Sequence, residues 1–185
     1  MKTPGSAAII ETKGVRLVNN LILIGFMGSG KSSLGRYISE QGYSLIDTDG
    51  YIEDKLGRAV SDIFSVEGEE YFRRLETRAL EELLEGGVQD CVIAVGGGLP
   101  VKEVNRELMH RLGTVIYLRA KPSTLEFRLS GDRTRPLLRS GKLRERIDSL
   151  MAERKDIYEA AADIIIDTDG YTFEEIYGLL KEKIL

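Results

Sequence analysis

Five short apolar runs punctuate the chain: LILI at 21–24, YSLI at 43–46, CVIAV at 91–95, TVIYL at 114–118 and DIIID at 163–167. Most are apolar at consecutive rather than alternate positions. That is the pattern of strands buried on both faces of a parallel sheet. Between them lie longer stretches with apolar residues three and four positions apart. The clearest is VEGEEYFRRLETRALEELLEGG, where Phe72, Leu75, Ala79 and Leu83 share one helical face. Glu67, Glu69 and Glu70 suit the positive end of that helix, and Gly86 and Gly87 stop it. Further helices are predicted at about 31–41, 50–56 (stopped by Gly57), 101–111, 122–130 (opened by Pro122), 141–160 and 172–184. The alternation of strand and helix predicts an α/β fold with helices covering a parallel sheet. In such a sheet, functional residues gather at the carboxyl ends of the strands. Four of the five runs carry a chemical signal there: Gly25, Asp47, Gly96 and Asp167. Residues 1–18 are weakly patterned and are expected to form a mobile N-terminal extension to a single domain at 19–185.

Composition narrows the possible classes. The chain has 185 residues, of which 42% are hydrophobic and 30% charged, as in ordinary globular domains. The formal net charge of −4 and the lack of aromatics interleaved with basic runs argue against a nucleic-acid binder. The single cysteine, Cys91, lies in an apolar run and excludes both an intrachain disulfide and a cysteine-rich zinc site. No apolar run has the length of a membrane span. No apolar core of signal-peptide length precedes Glu11 and Lys13, so a cytoplasmic location is expected.

The first strand runs into GFMGSGKS, residues 25–32, which fits G-x-x-x-x-G-K-[ST]. Glycines let the backbone curl so that successive N–H groups face phosphate oxygens, and the loop opens onto a helix N-terminus that favours anions. Gly28, Ser29, Gly30, Lys31, Ser32 and Ser33 are the candidate nucleotide-binding residues. Lys31 would reach the β- and γ-phosphates, and the Ser32 hydroxyl would bind Mg²⁺. No Asn-Lys-x-Asp or Thr-Lys-x-Asp motif of a GTP switch is present. A small chain with an arginine-rich loop reads instead as a small-molecule kinase using ATP.

The acceptor side is read from the other strand ends. In LIDTDG, Asp47 and Asp49 flank Thr48. On an extended segment they would point the same way, one towards Mg²⁺ and the other towards an acceptor hydroxyl. The bland alternative is that Asp49 caps the next helix. DTDGY occurs twice, at 47–51 and 167–171, so part of the signal is only a strand-to-helix turn. Asp167 and Asp169 are therefore read as turn or loop residues. Gly96, Gly97 and Gly98 would let a ligand lie against bare backbone. Arg73 and Arg154, on two long helices, would suit a planar carboxylate, although by themselves they read as surface arginines, like the neighbouring Arg74. The polar stretch at 130–142, bounded by Gly131 and Gly141, reads as a mobile lid. Arg135 in the lid could swing over the transferring phosphate, and Arg128 could lie along adenine or the phosphates. His110, the only histidine, lies away from every motif.

GFMGSGKSSLG, LIDTD, GRAVSDIFSVEGEEYFRRLE, VIAVGGG, RTRPLL and ERKDIY, in this order and spacing, resemble the shikimate kinase family over roughly 20–183. The resemblance implies a three-layer P-loop kinase fold, related to nucleoside monophosphate kinases, with a five-stranded parallel sheet in the order 2-3-1-4-5. It implies transfer of the γ-phosphoryl group of ATP to the 3-hydroxyl of shikimate, on the route to chorismate and the aromatic amino acids. Asp49 would bind the shikimate hydroxyls and be the candidate base, and Asp47 would sit near Mg²⁺. Arg73 and Arg154 would hold the shikimate carboxylate, and Gly96–Gly98 would line its pocket. Lys31 and Arg135 would act on the phosphates, and Arg128 would pack near adenine. Glu76 would orient Arg73. The phosphate loop departs slightly from the family in ending Lys-Ser-Ser rather than Lys-Ser-Thr. A monomer is expected, with no nucleic-acid or membrane partner. The alternatives are another small-metabolite kinase, such as a gluconate kinase, or a non-catalytic nucleotide-binding homologue.

Overall fold

The computed structural model describes residues 20–130 and 142–184. The extension expected at 1–18 and most of the lid expected at 130–142, Arg135 included, lie outside these residues. The described elements are β1 (Leu21–Ile24), α1 (Lys31–Ser39), β2 (Ser44–Asp47), α2 (Thr48–Leu56), α3 (Val60–Val66), α4 (Gly68–Glu85), β3 (Cys91–Ala94), a 3₁₀ turn (Leu99–Val101), α5 (Glu103–Leu112), β4 (Thr114–Arg119), α6 (Pro122–Leu129), α7 (Leu143–Ala161), β5 (Ile164–Asp167) and α8 (Phe173–Ile184).

The five strands form one parallel sheet in the order β2-β3-β1-β4-β5. β1 is central, with Ile22 in register with Ile93 on one side and Val115 on the other. Consecutive apolar residues are needed because successive side chains enter different cores. Ile22, Ile24, Ile93, Val115 and Tyr117 join the core built with α4, α5 and α7. Leu21, Leu23, Val92, Ile116 and Leu118 join the core built with α1 and α8. The edge strand β2 is the one whose residues are only partly covered. All five strand ends point towards one edge of the sheet, so the loops after β1, β2 and β3 meet there.

Two local features differ from the sequence expectation. α2 starts at Thr48 rather than 50, because Asp47 is its cap: the carboxylate accepts from Asp49 N and Gly50 N. Asp49 is therefore helical, and the extended-segment argument for its direction does not hold. The region ahead of Phe72 is two helices, not one. Gly68, at φ 84°, breaks the chain between α3 and α4, a conformation that disfavours a side chain. With Val60, Ile63 and Phe64 on one face, α3 packs against α4 through Phe72.

Asn20 braces the opposite edge of the sheet. Its side-chain amide donates to Val88 O (2.8 Å) and Leu112 O (2.9 Å) and accepts from Cys91 N (2.9 Å). It thus ties the lead into β1 to the starts of β3 and β4. Asn20→Ala leaves buried backbone groups without partners. It should lower unfolding stability by about 2–3 kcal/mol, read as a reduced denaturant midpoint with an unchanged m-value. Turnover should be unaffected, because Asn20 is at the far edge.

Candidate active site

The loop after β1 turns tightly, with Ser29 N donating to Phe26 O (3.1 Å), and delivers Gly30 as the cap of α1. Gly30 has φ 102° and ψ 12°, a left-handed conformation suited to glycine. It supplies no side-chain cap, and the first turn of α1 carries no acid. The N–H groups before Leu34 have no helical carbonyl to meet. They face a cavity of about 500 Å³ lined by Lys31, Ser32, Asp47, Asp49, Arg128 and Phe173, among others. Uncapped N–H groups and a positive helix end make this an anion site. Lys31 Nζ donates to the Gly25 and Phe26 carbonyls of its own loop (2.9 and 3.0 Å). Ser32 Oγ donates to Asp47 Oδ2 at 2.7 Å, on the oxygen not used for capping α2. Arg128 Nη1 donates to Gly28 O (3.1 Å) and Ser29 O (3.3 Å), clamping the loop from α6.

A second cavity, of about 390 Å³, adjoins the first. Met27, Asp49, Gly96 and Gly97 line both. Its apolar side comes from Val60, Phe64 and Phe72, and its polar side from Arg73, Glu76 and Arg154. Asp49 and Glu76 converge at Gly96, where an added Cβ would stand 2.8 Å from Asp49 Oδ1 and 2.7 Å from Glu76 Oε1. Gly96 N in turn donates to Thr48 Oγ1 (3.1 Å), locking the end of β3 to the start of α2. A Cβ at Gly98 would overlap the Arg73 guanidinium, so glycine is what lets that arginine lie flat on the backbone.

The charges of this second cavity are arranged unevenly. Arg73 is bound on its own helix, Nη1 to Glu76 Oε2 at 2.7 Å and Nη2 to Glu69 Oε1 at 2.8 Å. Burial works against its charge, but the two carboxylates more than offset that and raise its pKa. Glu76 is fully buried, and burial pushes its pKa up to about 7; Arg73 opposes the rise and Asp49 adds to it. Arg154 is only 7% exposed, and its Nη1 is buried without a partner among the described residues. A buried guanidinium nitrogen with no partner among the described residues, beside a second guanidinium held in place by two carboxylates, suits a planar organic anion.

The structure therefore gathers Gly28, Gly30, Lys31, Ser32, Ser33, Asp47, Asp49, Arg73, Gly96–Gly98, Arg128 and Arg154 around two joined cavities, whereas Ser29 is buried and lines neither. Arg128 reaches the loop backbone and lines the first cavity. Asp167 pairs with Arg119 (2.6 Å), and Asp169 accepts from Lys121 N (2.9 Å), so the second DTDGY copy is held by the end of β4 and the residues after it. His110 lies beside Asp163 at the far edge of the sheet. The sequence reading missed the α3 wall (Val60, Phe64) and, on the first cavity, Arg36 and Phe173. Val60, Ile63 and Phe64 share one face, but over seven residues that spacing is a weak helix signal. For Phe173 nothing local distinguished a cavity residue from the opening of α8.

A family model described as shikimate kinase matches residues 27–184. The chain is 44% identical to the shikimate kinase of Persephonella marina over 168 residues, 90% of this chain and 99% of that protein. It is 38% identical to the shikimate kinase of Dehalococcoides mccartyi over 173 residues, 92% of this chain and 96% of that protein. Among solved structures, shikimate kinase from Acinetobacter baumannii in complex with shikimate matches with a TM-score of 0.83 at 32% identity, covering 91% of this chain and 97% of that one. A deoxyadenosine kinase from M. mycoides with bound dATP, at 15% identity and a TM-score of 0.53, shares the fold. No helix among the described residues is long and apolar enough to cross a membrane.

Glu76 gives a pH signature. Its folded pKa is raised from 4.5 to about 7, so the folded state holds a proton that the unfolded chain releases. The favourable contribution is complete below about pH 4.5 and is lost as pH rises towards 7. Glu76→Gln should remove this decline. Comparing denaturant stability of the two proteins at pH 5 and pH 8 should show the glutamine variant gaining relative to the wild type at the higher pH. An unchanged difference would mean that Glu76 does not retain its proton.

Proposed function

We propose how two cavities divide one reaction in a chain that belongs to the shikimate kinase family. The protein is a shikimate kinase, an ATP-dependent enzyme that phosphorylates a small-molecule alcohol. We assign the γ-phosphoryl group of ATP as the group transferred and the 3-hydroxyl of shikimate as the acceptor, giving ADP and shikimate 3-phosphate. The observation that carries the assignment is the position of Asp49 on the wall common to both cavities.

The triphosphate belongs in the first cavity, its oxygens on the uncapped N–H groups of α1 and on Lys31. Transfer passes through a state with charge spread over the equatorial phosphate oxygens, so fixed positive groups supply most of the acceleration. The Ser32 hydroxyl and the Asp47 carboxylate fit a Mg²⁺ ion: they are hard oxygen donors, already side by side at 2.7 Å, and few enough to leave positions for water and phosphate. When bound, that ion supplies charge neutralisation on the phosphates. Arg128 keeps the loop in shape and borders the space for adenine. Arg135, outside the described residues, is assigned to the phosphates on the family resemblance.

The acceptor belongs in the second cavity. Arg73 and Arg154 hold its carboxylate, and the backbone of Gly96–Gly98 lines its ring. Asp49 then lies at the hydroxyl facing the first cavity, where it orients that group and takes its proton. Phe64, Phe72 and Val60 keep water from the reacting atoms, which limits hydrolysis of ATP.

The test is an ADP-release assay with ATP and Mg²⁺, comparing shikimate, quinate and gluconate. Release should depend on shikimate; folded, ATP-binding protein with no shikimate-dependent release would sink the assignment. Asp49→Asn keeps size but cannot accept a proton. Shikimate should still bind, while single-turnover phosphoryl transfer falls by about 10²-fold or more. Lost binding with a surviving rate at saturation would make Asp49 a purely positioning group.

A further inference from the structure

The roles assigned above leave without a task one fully buried hydroxyl that lies behind the second cavity and bonds to its lining residue Gly97. Tyr158 lies one turn beyond Arg154 on the inner face of α7, whose buried stripe reads Ile147, Leu150, Arg154, Tyr158, Ala161. Its hydroxyl donates to Gly97 O at 2.5 Å. Its ring packs on Tyr117, with centroids 5.2 Å apart. Burial raises the pKa of the phenol, and the Arg154 guanidinium beside it works in the opposite direction. The hydroxyl thus spends its proton on a backbone carbonyl, which leaves its lone pairs able to accept from the Arg154 guanidinium one helical turn away.

Both of its neighbours matter to the site. Arg154 is a long side chain with an unpartnered Nη1, and such a group binds tightly only if its rotamer is fixed beforehand. Gly97 lines both cavities, and an added Cβ there would meet Met27 N at 3.3 Å and Gly25 O at 3.4 Å. The Gly97 backbone is therefore already pressed against the phosphate loop. Whatever holds the Gly97 carbonyl also sets that contact.

We propose that Tyr158 is a positioning residue for acceptor binding: its hydroxyl fixes the Arg154 guanidinium for the substrate carboxylate and holds Gly97 in the wall between the two cavities. The inference rests on the acceptor reading given under Proposed function. Tyr158 touches no reacting atom and acts through Arg154 and the Gly97 carbonyl. The hydroxyl is the working part, whereas the ring serves the core.

Tyr158→Phe separates the two, since it keeps the ring and its packing on Tyr117. The KM for shikimate should rise about tenfold, the effect of losing a hydrogen bond to a charged group, while kcat changes by less than about threefold and the KM for ATP stays put. In an Arg154→Ala background the same change should add less than about twofold to the KM for shikimate, because the group it positions is gone. An active wild type with an unchanged KM in Tyr158→Phe would overturn this inference alone, as would a full tenfold loss on top of Arg154→Ala. A wild type that does not phosphorylate shikimate would overturn the acceptor reading and this inference with it. A second measurement does not depend on how Tyr158→Phe folds. The ring-carbon resonance of Tyr158 next to its hydroxyl should shift when shikimate is added to the wild type and stay still in Arg154→Ala. A shift of equal size in both would also refute the coupling.

Discussion

The positive end of α1 opens into the first cavity with no side-chain cap of its own. Gly30 brings no side chain and the first turn no carboxylate, although α2, α3, α4, α5, α7 and α8 each carry an acid in theirs. A helix end left in this way favours a bound anion, and the surroundings answer to it. β1 must be central, so that the loop emerges at the middle of the sheet edge. β3 and β2 must be parallel to β1, so that Gly96 and Asp47 emerge beside it. Arg128 must come from across the chain to hold the loop carbonyls. The parallel sheet is what makes these separate demands compatible, because it sends every strand end to the same edge.

The second cavity is built on an opposite economy, with charges buried and mostly matched. Breaking a buried pair costs several kcal/mol, and forming one gains little. Arg73 and Glu76 are thus poor candidates for stabilising the fold and better ones for presenting a charge in a fixed direction. Arg154 takes this further, since it occupies a position of the α7 stripe otherwise filled by Ile147, Leu150, Tyr158 and Ala161. A cation in the core stripe of a helix, with one nitrogen left unsatisfied, fits a partner that arrives from outside. The raised pKa of Glu76 belongs to the same picture. The carboxylate sits between a guanidinium that favours its charge and the burial and Asp49 that oppose it.

Much of this was legible along the chain. The strands could be read because a parallel sheet covered on both faces demands unbroken apolar runs. The phosphate loop could be read because its chemistry depends on backbone conformation, which glycine spacing encodes directly. Arg73 and Arg154 read by themselves as surface arginines and gain a role only from the family resemblance, and nothing local said that they would meet Gly98. Arg73 and Arg154 lie on helices separated by β3 and β4, and only the packing of α4 and α7 near the turn after β3 closes that distance. The α3 wall was missed because a helix of seven residues carries a weak periodic signal. Gly68, which ends it, looks like any loop glycine until its backbone angle is seen.

DTDGY shows where sequence stops deciding. At 47–51 it ends β2 and becomes the first turn of α2, with Asp47 capping that helix and facing Ser32, and Asp49 reaching the wall between the cavities. At 167–171 the same five residues end β5 and form a loop, with Gly170 at φ 84°. Asp167 is taken up by Arg119, and α8 waits until Thr172 and Glu175 cap each other's ends. The sequence by itself determined that both copies follow a strand, that an acidic turn results, and that a phosphate loop and a strand-helix alternation surround them. Tertiary structure decided which copy faces the two joined cavities. The neighbours of each carboxylate come from distant segments, and a charge 2.7 Å from a serine hydroxyl is a different group from one 2.6 Å from a guanidinium.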